Sequence, residues 1–156
     1  MTTTAPTGAV VHVYDDGGRV AAGYKGETGD CGCRAVSIAT GLPYQDVYDL
    51  MIRYAKTERT SSRKRTRSHP RTGYHSATLM RMLTREFRAA WTPTMRPGSG
   101  TTVHVRADEL PATGRHVLRL SKHYAAYVDG ILRDTHDPSR DGTRAVYGYW
   151  TVPVLG

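Results

Sequence analysis

Cysteine is scarce in this chain: 156 residues carry only two, Cys31 and Cys33. That count excludes a disulfide scaffold. A bridge between the two is also disfavoured, because residues so close on a helix do not face each other. No run approaches the roughly 20 apolar residues needed to cross a bilayer. The opening MTTTAPTGAVVHV lacks a basic segment leading into an apolar one, so no secretory signal is expected. There is no internal repeat and no second cysteine pair. Acidic residues are in the minority, 14 against 22 Lys and Arg, for a net charge of +8. A reduced thiol in a cytoplasmic protein fits these absences.

What is present points to one folded domain over residues 1–156. The apolar fraction is low at 38%, but it falls in ordered runs. AVVHVY and RVAAGY flank Asp15-Asp16-Gly17-Gly18 and predict an opening hairpin. Asp30 stands at an N-cap position before CRAVSIAT, and Gly41 closes that helix. Pro43 begins a second helix, PYQDVYDLMIRYAK, with apolar residues at helical spacing. Ser76 is placed to cap a third, ATLMRMLTREF. Short strand patterns follow: RAAWTPTM, TTVHVR, RHVLRLS, HYAAYVD, GILRDTH and RAVYGYWTVPV. Helices before an antiparallel sheet make the class α+β. Between the second and third helices lies a basic loop insertion at about 56–75, where Arg63, Lys64, Arg65 and Arg67 could meet a polyanion.

A lone cysteine is more often inert core than nucleophile. Cys31 departs from that expectation because it opens a helix, where the dipole and unpaired N–H groups favour a thiolate and can receive an oxyanion. Asp30 and Gly32 shape the tight entry, and Gly32 leaves the thiol open. Cys33 lies about 200° round the helix and is expected in the core. A nucleophilic thiol needs a base, and the base an orienting group. Asp129-Gly130 is a strong two-residue hairpin signal. It sets Val128 opposite Ile131 and Ala125 opposite Asp134, so Asp134 lies diagonally beside His123 on one face. His136 falls opposite His123, a possible metal pair but a poor orienter. A slip of one residue would undo this assignment.

These residues resemble a family. GDCGCRAVSIATGLPYQDVYDLM followed by GRHVLRLSKHYAAYVDGILRDT is similar to small papain-like cysteine peptidase domains of phage and bacterial type, related in pattern to bacteriocin-processing peptidases. The resemblance implies a papain-like fold and a hydrolase, a peptidase or isopeptidase. Cys31 would be its nucleophile, His123 its general base and Asp134 its orienting carboxylate, with a protein or peptide substrate and no cofactor. Many members carry a Gln shortly before the Cys as an oxyanion donor. Here KGETGD has none, which leaves Thr28, Asp30 and Gly32 around the Cys31 amide. The alternative is a nucleic-acid-binding or host-interaction protein on an inactive scaffold of this kind. Zinc held by Cys31, Cys33 and two histidines is disfavoured by the C-x-C spacing without a matching pair. His12, His69, His75, His104 and His116 read as ordinary strand or loop residues, and Trp91 and Trp150 as core or cleft wall.

Overall fold

The computed structural model describes residues 8–26, 29–59, 66–96, 98, 100–101 and 103–153. Within them the protein is α+β, with three helices and a six-stranded mixed sheet. Strand β1 (Val11–Tyr14) precedes α1 (Cys31–Thr40), α2 (Tyr44–Ala55) and α3 (Ser76–Phe87). Then follow β2 (Ala90–Pro93), the short β3 (Met95–Arg96) and β4 (Gly100–Thr101), β5 (Arg115–Leu120), β6 (His123–Val128), β7 (Ile131–Asp134) and β8 (Gly148–Val152). The large sheet runs β1-β7-β6-β5-β8-β2, while β3 and β4 pair separately. No helix among the described residues is long and apolar enough to cross a membrane.

The sheet divides two apolar clusters by the alternation of its strands. Val117, Tyr124, Ala126 and Trp150 face the helices and meet Val36, Met51, Leu79 and Leu83. Leu118, Leu120, Ala125, Tyr127 and Leu132 face the other way and are covered by Val105, Leu110 and Val146 from the connecting loops. Helix α1 packs chiefly on β6. Gly32 lies at that contact, where a Cβ would stand at an ordinary 3.5 Å from both Met51 of α2 and Tyr124 of β6. Gly41, at φ 76°, ends α1 with its N–H donating to the Ser37 carbonyl.

The opening hairpin is not formed. Asp15 and Asp16 accept from the Gly17 and Gly18 amides, both at 2.9 Å, and Asp16 also accepts from Val20 N–H. Those bonds cap a helical turn, with Ala22 N–H donating to the Gly18 carbonyl, so RVAAGY never extends. Strand β1 instead pairs in parallel with β7, Val11 opposite Ile131 and Tyr14 opposite Asp134. The sheet is therefore mixed, not purely antiparallel as expected. TTVHVR contributes only the end of β4 and an isolated bridge from His104 to Ala145. The third helix starts at its expected cap, one residue earlier than expected: Ser76 is its first residue, with its hydroxyl on Tyr124, and His75 takes the cap position.

The Asp129-Gly130 hairpin forms as expected. Both residues take left-handed conformations, φ 48° and 79°, as a turn of this tightness requires, and Val128 pairs with Ile131.

Candidate active site

The N-terminus of α1 meets the sheet where β6 begins and β7 ends. Cys31 is half-buried, and His123, the Tyr124 amide and the Arg34 guanidinium are the polar groups that act on its thiol. His123 Nε2 lies 2.6 Å from Asp134 Oδ2, so Nδ1 is the ring nitrogen left for the thiol. The side chains of His123 and Asp134 are only 10% and 2% exposed. Asp134 Oδ1 accepts from Arg34 Nη1 at 2.6 Å and from the Thr135 amide at 2.7 Å. His12 of β1 reaches the Asp134 carbonyl at 3.0 Å, fixing the backbone as well as the carboxylate.

Arg34 lies three residues after Cys31, and the buried network runs on through it. Its Nε donates to Asp30 Oδ1 at 3.0 Å. Asp30, fully buried, also accepts from Arg19 at 3.2 Å and from the Tyr44 hydroxyl at 2.9 Å. Signs alternate along the chain Arg19, Asp30, Arg34, Asp134, His123, Cys31, so each buried charge stands between opposite neighbours. That is the condition under which buried ion pairs are tolerated.

The electrostatics follow from this arrangement. Burial alone would push the Cys31 thiol up, but the hydrogen bond and charge of His123, the Tyr124 amide and the Arg34 guanidinium outweigh it and hold the thiol below its ordinary 9.0. Burial would lower His123, yet the Asp134 hydrogen bond, then Cys31, raise it to about 9. Burial would raise Asp134, but the bond to His123 and the charges of His123 and Arg34 hold it below 3.8. Both shifts run in the direction that favours a thiolate beside an imidazolium. Cys33 is the contrast: wholly buried, with its sulfur 3.8 Å from the Tyr44 carbonyl, it is pushed up to about 12 by burial and by Asp30.

A groove of about 470 Å³ opens beside Cys31. Its walls come from Gly29, from residues 72–76 ahead of and opening α3, and from the β5–β6 turn with Arg119, Lys122 and His123. The end of the basic segment thus borders the thiol. It is tied down by Glu58, which accepts from the Ser68 amide at 2.7 Å and from the hydroxyls of Ser68 and Thr78. Arg71 stacks 5.1 Å over Tyr24 and donates to the Lys25 carbonyl at 2.9 Å.

Sequence reasoning placed Cys31, His123, Asp134 and Cys33 where they are found. Two of its expectations are corrected. Asp30 neither caps α1 through its side chain nor reaches the groove, because all its acceptor capacity faces Arg19, Arg34 and Tyr44. Gly32 is buried one helical step round from Cys31, on the side of Met51 and Tyr124, and is not part of the groove lining. Thr28, Arg63, Lys64 and Arg65 lie outside the described residues. Arg67 is exposed and donates to the Lys56 carbonyl at 3.3 Å. Arg34 and Arg19 were missed as site residues. A charged residue inside an otherwise apolar helix, four after Asp30, was the available signal.

His136 does approach His123, with ring centroids 5.2 Å apart. Among the described residues His123, Asp134 and His136 are the one group with three metal-ligating side chains close together, and two of the three already serve the Cys31 network. Cys31 and Cys33 point apart, so the C-x-C zinc arrangement is not assembled. Comparison with family models, curated proteins and solved structures finds no match to this chain.

Proposed function

We propose that the protein is a cysteine-dependent hydrolase that transfers an acyl group from an amide or isopeptide to water, and that its helices and sheet are a compact form of the papain-like fold. The Cys31 thiolate attacks the carbonyl and forms a tetrahedral intermediate. The Cys31 N–H, one of the first-turn amides that a helix leaves without an internal partner, donates to the oxyanion. His123 passes its proton to the leaving amine. It then takes one from water as the acyl-enzyme is hydrolysed, while Asp134 holds the ring in one tautomer and stabilises its charge.

The observation that carries this reading is the juxtaposition of Cys31 with a His123 ring hydrogen-bonded to buried Asp134, with the thiol lowered and the imidazole raised although burial opposes both shifts. A thiol that is merely core behaves as Cys33 does, rising with burial. Iodoacetamide labelling across pH tests it, with modified peptides resolved by mass spectrometry. Cys31 should react well below pH 9 and Cys33 should not. Equal inertness of the two would end the proposal.

The net charge of +8 favours a second reading, polyanion binding on the same scaffold. Its mark would be DNA or RNA affinity that falls steeply with salt and is untouched by C31A.

A further inference from the structure

The groove beside Cys31 does not end at the β5–β6 turn. Arg119 and Tyr147 line it on one side and line a second recess of about 540 Å³ on the other, walled by Trp91, Pro93 and Met95. The two depressions adjoin along that shared wall.

Their chemistry differs. Every charged or titratable nitrogen side chain in the first groove is basic: His75, Arg119, Lys122 and His123, with no carboxylate in its lining. Among the described residues neither Arg119 nor Lys122 is in an ion pair. The contact of Arg119 is cation–π, 6.0 Å over the Tyr147 ring. The recess is apolar and built on a fixed aromatic wall. A Cβ at Gly148 would stand 2.3 Å from the Trp91 ring, so only glycine there lets the indole lie flat on β8. Trp91 is also held 4.5 Å, centroid to centroid, from Trp150, which is fully buried.

Resting on the thiol-hydrolase reading, we infer that this two-part cleft recognises a peptide by two groups: a carboxylate held at Arg119 and Lys122, and a large apolar side chain seated on Trp91, Pro93 and Met95. Charge complementarity selects the first group. The second gains from burial against a wall that is already ordered, so little side-chain entropy is lost on the protein side.

The test uses acetylated, amidated hexapeptides with Glu and Phe separated by one to three residues, beside versions with Phe→Ala or Glu→Lys. Each is titrated as a protector of Cys31 against iodoacetamide, normalised to the same protein's rate without peptide. The best Glu/Phe spacing should protect at a concentration about tenfold lower than its Ala version, the scale of burying one large side chain. It should protect about two- to fivefold better than its Lys version, the scale of a solvent-facing ion pair. Arg119→Glu should reverse the charge preference, and Met95→Asp should remove the apolar one. Equal protection by all the peptides, or preferences unmoved by both variants, would overturn the inference. Tryptophan fluorescence titrated with the same peptides reads the recess without the thiol. If Cys31 proves inert yet the emission shifts with the same ranking, the hydrolase reading fails and the bipartite cleft stands. If neither signal depends on the peptide, the cleft proposal falls by itself.

Discussion

Asp134→Asn is the most informative perturbation of the site. The side chain keeps its shape while the negative charge behind His123 is lost. His123 lies at about 9 against an ordinary 6.5, and the hydrogen bond to Asp134 contributes most to raising it. A displacement of that size is worth about 3 kcal/mol in favour of the imidazolium. At pH 7.5 the wild-type ring is therefore mostly protonated. Without the carboxylate, burial still disfavours the cation and only Cys31 supports it, so His123 should fall by about one to two units, or further. The thiol then loses its nearest positive charge and should rise toward or past 9.0. The assay is the rate of Cys31 alkylation by iodoacetamide from pH 5 to 10, with the Cys33 peptide as internal reference. In wild type the rate should have its inflection below pH 9; in the variant the inflection should move up by about a unit or more. An unchanged profile, in a variant whose circular dichroism shows native folding, would refute the coupling between carboxylate, ring and sulfur.

Other outcomes follow from the same geometry. C31A should abolish turnover with folding intact, and it should also change how stability depends on pH. In wild type the raised His123 gives stability that is full below 6.5 and lost toward pH 9, while the lowered thiol gives stability that grows up to 9.0, so the two slopes oppose each other. With the thiol gone only the falling slope remains, and Tm should drop more steeply from pH 6.5 upward. Arg34→Met leaves Asp30 and Asp134 buried beside an apolar side chain and should cost about 3–5 kcal/mol by urea denaturation. Arg34→Lys should recover only part of this, since an ammonium cannot span two carboxylates as a guanidinium fork does. Gly148→Ala must displace the Trp91 ring and should cost about 1–3 kcal/mol, with a shift in tryptophan emission.

The parts of the site that could be read in advance were those with local signatures. Asp129-Gly130 sets a register through the conformations its two residues accept, and that register carries His123 to Asp134. Cys31 at a helix start, and Cys33 turned into the core, follow from helical geometry alone. What escaped was non-local. The partner of Arg34 in β7 lies 100 residues away, and the parallel pairing of β1 leaves no mark in either strand, because parallel ladders need no turn between them. The Asp15-Asp16-Gly17-Gly18 cluster misled because Asx bonds of the kind it makes serve a helical turn as readily as a hairpin.

The placement of β1 bears on synthesis. Its four residues leave the ribosome before the rest of the sheet, and the ladder they complete belongs to a strand made some 120 residues later. Until β7 arrives, the nascent polypeptide carries its reactive sulfur without imidazole or carboxylate. Loop closure over that distance is slow compared with helix formation. Assembly of the Cys31–His123–Asp134 network is thus deferred until β7 has been made, and until β1 docks, the sheet carries a bare border open to pairing with a neighbour.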